Sequence, residues 1–228
     1  MNRAASAVTG KNPRLVIVAG PPAAGKTRLA AAVADALDLR VVSKDGIKEA
    51  LMDHLGGSES VGRAAFAAQF HVPETLLKSG IGLVLEGAFF SDQEELRSVA
   101  QLGNACVLHV TAPLEVLVER YTARQQDRHP GHRGLEALSD LSARMGCGAY
   151  VPPDIGAPVL RIDNEAEFSP SVPEIIAWID EPQVHPVRGA VRARGPMPTT
   201  GCAANSLTYA FQSSSPSPRR SRSIPRRR

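Results

Sequence analysis

A chain of 228 residues with 43% apolar content has material for one core, and at 4% aromatics that core must be built from Ala, Val, Leu and Ile. No run of about eighteen apolar residues offers a membrane span, and the polar stretch Met1–Arg14 lacks the apolar segment of a secretory signal, so neither is expected. The formal charge of +3 is unevenly placed: nine Arg and no Lys, Asp or Glu lie between Pro182 and Arg228, which leaves 17 basic against 23 acidic groups, a net of −6, on residues 1–181. A domain built to grip a phosphate backbone carries the opposite sign.

Residues 1–13 read as a flexible lead-in. The apolar run Arg14–Ala19, bounded by Gly20 and two prolines, reads as a buried strand. Lys26–Leu37 sets Leu29, Ala30, Val33 and Leu37 at helical spacing. A short strand is expected at Arg40–Val42 and a helix over Gly46–Leu55. Ser58–Ser79 reads as a helix broken near Pro73. Ile81–Leu85 is a second buried strand, and Ser91-Asp92-Gln93-Glu94 has the pattern of a capping box opening a helix to about Leu102. Ala105–Val110 and Pro113–Gln126 come next as strand and helix, and Val159–Ile162 and Val172–Ile179 as the last strand and helix. Such alternation over residues 14–181 predicts an α/β domain with a parallel sheet and helices on both faces. Ligands of such sheets bind at the carboxyl ends of the strands.

After Pro182 the periodicity gives way to Pro, Ser, Gly and Arg, and residues 182–228 are expected to form a disordered basic tail. Its charge would suit nucleic acid by counterion release; an unselected extension accounts for the same composition, and nucleic acid is not the favoured partner. Cys106, Cys147 and Cys202 stand far apart without metal-ligand spacing, an odd and sparse set that suits a reducing compartment, so a cytoplasmic location is expected.

The chemistry is concentrated at three places. Gly20-Pro21-Pro22-Ala23-Ala24-Gly25-Lys26-Thr27 fits GxxxxGK(S/T) between a predicted strand and a predicted helix. The glycines let successive backbone N–H groups turn toward phosphates, and the helix N-terminus adds favourable potential for anions. Lys26 can reach the β- and γ-phosphates, and the Thr27 hydroxyl can ligand Mg²⁺. Asp45 comes at the carboxyl end of the second strand, on the same rim as the P-loop if the two strands neighbour one another. A carboxylate there could accept the proton of an attacking hydroxyl, or could cap the next helix. Glu86 closes the run Leu83-Val84-Leu85, where an acid orders the Mg²⁺ shell or contacts substrate. The third place is Glu119–Arg133. Arg120, Arg124 and Arg128 are spaced by four, so they are expected on one side of a helix. Pro130-Gly131 then opens a loop carrying His132 and Arg133. Arginines closing over a nucleotide could neutralise charge on a transferring phosphoryl group.

With these motifs in order, the chain resembles the small P-loop kinases, most of all the group around polynucleotide kinase, zeta toxin and chloramphenicol phosphotransferase; members of unknown substrate in that group carry the label of AAA-like ATPases. The likeness spans roughly residues 14–165. It implies a three-layer P-loop NTPase fold, a five-stranded parallel sheet with the P-loop strand central, and ATP with Mg²⁺ as ligands. It implies Asp45 as general base, Lys48 toward the acceptor or its phosphate, Glu86 as the acid after the third strand, and Arg120, Arg124 and Arg128 as lid arginines. Arg133, in the loop after Pro130-Gly131, is expected among the substrate-side residues. Gly46 departs from the pattern, since many relatives carry a second acid there. The expected activity is transfer of the γ-phosphoryl of Mg·ATP to a hydroxyl of a small molecule or nucleic-acid end. An ATPase without an acceptor, or a nucleotide-gated binding module, stand as alternatives.

Overall fold

The computed structural model describes residues 12–57, 59–90, 93–126, 128–130 and 137–181. Five strands, β1 (Arg14–Ala19), β2 (Arg40–Ser43), β3 (Leu83–Glu86), β4 (Asn104–Thr111) and β5 (Val159–Asp163), form one sheet in the order β2-β3-β1-β4-β5. Every neighbouring pair is parallel, so the strand that feeds the glycine-rich loop is central, as expected. Strands covered on both faces read as unbroken apolar runs, and Leu15 to Ala19 are all fully buried.

Seven helices among the described residues cover the sheet: α1 (Lys26–Ala36), α2 (Lys44–Leu55), α3 (Glu59–Lys78), α4 (Glu94–Ala100), α5 (Leu114–Ala123), α6 (Ala137–Gly146) and α7 (Val172–Asp180). The alternation of side chains along β1 divides the core in two. Val16 and Val18 join Leu108 and Ile162 against Leu29 of α1, Leu117 of α5 and Ile175 of α7. Leu15 and Ile17 join Leu85 and Val107 against Phe70 and Leu77 of α3 and Leu96 of α4. Both halves are mainly aliphatic, and each fully buried Leu, Ile or Val contributes about 1.5–3 kcal/mol. The exception among the helices is α2, which has no fully buried residue.

Three expectations are corrected. α3 is not broken at Pro73: it runs 20 residues with the proline inside. Interior proline costs about 3 kcal/mol, and here Pro73 is itself buried along a face shared with Val61, Ala65, Phe70 and Leu77, so packing of one continuous rod offsets the lost hydrogen bond. The helix after β3 starts at Glu94 with Gln93 as N-cap and no side-chain cap bond; Ser91 and Asp92 lie outside the described residues. The reciprocal cap is found instead at α7, where Ser171 N–H donates to Glu174 Oε2 at 2.8 Å and Ser171 Oγ–H at 2.6 Å. Finally, α6 stands where the sequence pattern suggests no element. Of the expected flexible lead-in over residues 1–13, residues 1–11 lie outside those described, as does the whole expected disordered tail, residues 182–228.

The junction of β1 with the loop leaves no space for a side chain. Gly20 has φ +142°, and a Cβ there would stand 2.0 Å from the Val110 carbonyl oxygen of β4. Gly20→Ala is expected to cost on the order of 3 kcal/mol through overpacking and backbone strain together. A urea melt checks this by a lowered midpoint at unchanged slope.

Candidate functional site

The loop Gly20–Thr27 leaves the carboxyl end of β1 and enters α1. Gly25, with φ +95°, is the N-cap of α1, and the first turn carries no acidic residue. The N–H groups of that turn therefore have no side-chain acceptor at the cap, and the positive end of the helix is uncompensated, which makes it a seat for an anion. Lys26 is 9% exposed, and its Nζ donates to the Pro21 carbonyl at 2.8 Å, folding the loop onto its own lysine. Burial lowers the Lys26 pKa; the charges of Glu86 and Asp45 oppose that, while those of Arg124 and Arg128 add to it. Four of the candidate residues thus converge electrostatically on this one amine.

Asp45 is exposed in the first turn of α2, and it is not the cap: Ser43 holds that position. Its charge suits the helix N-terminus, and its carboxylate stays open to an acceptor. Glu86 is 5% exposed, and its Oε2 accepts from Ser43 Oγ at 2.7 Å. The parallel register sets Ser43 opposite Glu86, so the acid is held rather than solvated. Sequence reasoning missed Ser43; a polar residue ending a short strand in register with an acid was the available signal. Lys48 lies one turn on, its pKa lowered by burial and by Lys44, with Asp45 opposing.

The three arginines do not share one helix face. α5 ends at Ala123 and Arg124 is its C-cap, with Gln125 N–H turning back to the Thr122 carbonyl. A tightened last turn rotates the next residues away from the helical register. Arg120 donates to the Asn164 carbonyl at 2.7 Å and the Glu165 carbonyl at 2.8 Å, tying α5 to the segment after β5. Desolvation, then the neighbouring charge of Arg128, lowers the Arg124 pKa. Arg128 stacks over the Tyr121 ring at 4.8 Å, and its Nη1 is buried without a hydrogen-bond partner among the described residues. An unsatisfied buried donor of that kind is what an incoming anion could satisfy. Next to it, His129 Nε2 meets Asp53 Oδ1 of α2 at 3.0 Å. His132 and Arg133 lie outside the described residues.

A cleft beside the loop is lined by Ala23, Gly25, Arg28, Arg120, Arg124 and Asn164. Sequence reasoning did not single out Arg28 or Asn164. Arg28 lies over the Phe168 ring at 4.3 Å, which gives the cleft a flat wall. Among the described residues no group of three or more His, Cys, Asp or Glu could hold a metal ion. The Thr27 hydroxyl and the Glu86 carboxylate are hard oxygen donors, few in number. That fits Mg²⁺, which keeps waters and takes most other ligands from substrate phosphates.

His109 of β4 is 4% exposed, and its Nε2–H donates to the Tyr150 carbonyl at 2.9 Å. Burial lowers its pKa, against the opposing effect of that hydrogen bond. The folded state then binds this proton less readily than the unfolded state, whose histidine titrates near about 6.5. Stability is therefore full above that pH and declines as the pH falls through it toward the lower folded value. His109→Gln should flatten this acid limb, checked by comparing melting temperatures at pH values of about 7.5 and about 5.5.

A central-P-loop parallel sheet, a bare helix N-terminus and a buried loop lysine define the class of P-loop nucleotide-binding proteins. Within that class the chain belongs to the AAA domain family, whose family model matches residues 15–146. The crystal structure of a presumed kinase from Chloroflexus aurantiacus is 33% identical, with a TM-score of 0.66 over 74% of this chain and 97% of its own. A sugar kinase from Janibacter sp. shares the fold at 16% identity and a TM-score of 0.52, covering 74% of this chain and 95% of its own. A shikimate kinase from Acinetobacter baumannii does so at 17% and 0.50, covering 74% and 92%. No protein of curated function matches the chain. No helix among the described residues is long and apolar enough to cross a membrane.

Proposed function

We propose that this protein is an ATP-dependent phosphotransferase that moves the γ-phosphoryl of Mg·ATP to a hydroxyl of a small-molecule or nucleic-acid-end acceptor. The observation that carries the reading is the buried Lys26 at the head of α1, within electrostatic reach of Asp45 and Glu86 as well as Arg124 and Arg128. The 33% identity to a presumed kinase supports the same reaction class.

On this reading the backbone N–H groups of Gly20–Thr27, with Pro21, Pro22, Ala23 and Ala24 shaping the turn, cradle the phosphates. Lys26 leaves the Pro21 carbonyl for a phosphate oxygen. Asp45 takes the proton of the acceptor hydroxyl as its oxygen bonds to the γ-phosphorus. The bond from that phosphorus to the bridging oxygen breaks, and ADP departs with its electrons. Arg124 and Arg128 offset charge on the moving group, and the acceptor is assigned to Lys48 and to Arg133, which lies outside the described residues. Arg120, already bonded to Asn164 and Glu165, serves as a wall of the nucleoside cleft. Thr27 and Glu86 would hold Mg²⁺, which would supply neutralising charge to the phosphates.

The test is transfer of labelled γ-phosphate from Mg·ATP to a panel of antibiotics, nucleosides, amino-sugars and 5′-hydroxyl oligonucleotides. Label moving to one acceptor class supports the kinase. ATP binding with slow hydrolysis and no labelled acceptor would turn the assignment toward an acceptor-free ATPase.

A further inference from the structure

Asn164, the first residue after β5, is 2% exposed, and each of its polar groups has a partner in a different part of the site. Its N–H donates to the Thr111 carbonyl at 2.8 Å. Its Nδ2 donates to the Ala24 carbonyl at 2.8 Å, inside the phosphate-binding loop. Its Oδ1 accepts from Arg28 Nη2 at 2.9 Å, on the first turn of α1. Its carbonyl accepts from Arg120 Nη1 of α5 at 2.7 Å. One asparagine therefore joins the ends of two strands to the loop, to the helix the loop feeds and to the arginine helix.

The loop at this point needs external support. Ala23 has φ +65° although it is not a glycine, a conformation that persists only when its surroundings fix it. Gly25 is packed so closely on Asn164 that a Cβ would stand 2.4 Å from Nδ2. The carboxamide is thus both the donor that satisfies the Ala24 carbonyl and the body against which Gly25 turns. Both polar ends of the side chain are engaged within the protein, so its effect on a bound phosphate passes through the loop.

We propose that Asn164 is a positioning residue: its carboxamide holds the Ala23–Gly25 half of the loop in the phosphate-accepting shape and couples that shape to the arginine helix through Arg120. This rests on the nucleotide-binding reading above. It makes a prediction that a nucleoside-contacting residue would not, because the effect must appear with a ligand that has phosphates and no nucleoside.

The experiment is calorimetric titration of the full chain with magnesium tripolyphosphate and, separately, with Mg·ATP. Wild type is compared with Asn164→Ala and with Asn164→Asp, which keeps the size and the acceptor for Arg28 but removes the donor to Ala24. Circular dichroism fixes a temperature at which every variant used is folded, and the Asp variant stands alone if the Ala variant does not fold. Both ligands should weaken by about ten-fold or more in each folded variant, since a buried carbonyl loses its donor. Unchanged tripolyphosphate affinity in a folded variant overturns the role, whether or not ATP weakens; ATP weakening alone would assign Asn164 to the nucleoside wall. Wild-type protein that binds neither ligand overturns the nucleotide reading itself, an outcome separate from any difference between variants.

Discussion

Lys26→Ala is expected to remove phosphoryl transfer almost entirely, by about a thousand-fold, while the protein stays folded. The side chain is buried at a loop position from which its amine meets the charges of Glu86, Asp45, Arg124 and Arg128 together. Its Nζ makes one bond to the Pro21 carbonyl, so truncation strands one acceptor, a cost of about 1–3 kcal/mol. The functional loss is larger, because charge on a phosphoryl group in flight is stabilised by donors fixed in advance in a site from which water is excluded. Single-turnover transfer with the acceptor found by the panel, beside a thermal melt of the variant, separates the two effects. Transfer within about ten-fold of wild type in the folded variant would remove Lys26 from the reaction.

Asp45→Asn should lower transfer by about 10²–10⁴ and leave Mg·ATP affinity within about two-fold. The substitution keeps the size of the side chain and loses the proton acceptor. Ser43, not Asp45, caps α2, and the bond from Ser43 Oγ to Glu86 does not involve Asp45, so the helix start survives. Calorimetric ATP binding and the transfer rate are read on the same preparation. Weakened ATP binding with a proportionate loss of rate would make Asp45 a nucleotide contact and leave the base unassigned.

The fold was legible where burial is complete. β1 matches its apolar run residue for residue, because a strand covered on both faces has no polar positions to blur its ends. β2 and β3 each end one residue later than expected, at Ser43 and Glu86, and β3 begins at Leu83 rather than Ile81, since polar residues at the carboxyl ends of strands are not tracked by hydrophobicity. Pro73 misleads because local propensity says nothing of the face a helix buries. α6 is hidden behind the Pro130-Gly131 breaker, although Leu138, Leu141 and Met145 carry a helical spacing. In the site, the loop and the two acids announce themselves by motif and by position after strands. Asn164 and Arg28 do not, since they act through contacts spanning 136 and 140 residues of chain. The regular spacing of the arginines suggests one face; Arg120 and Arg124 line one cleft, while Arg128 lies beyond the end of α5.

Asp45, the proposed base, sits on a helix with little burial of its own. α2 has no fully buried residue; Ile47 packs against the core from its partly covered position, and Ser43 pins the helix start to Glu86. Elements with so little burial open at the low end of the free-energy range, whereas central strands open only with the whole domain. Amide exchange would run early through α2 and late through β1. The two sides of the site thus differ in compliance. On the proposed reading, the phosphate loop is held between β1 and α1 like a fixed jaw, while the carboxylate that would meet the acceptor rides on a yielding one. On that reading, acceptors of different bulk would be met by a small swing of that helix, with the sheet and the phosphate grip left as they are.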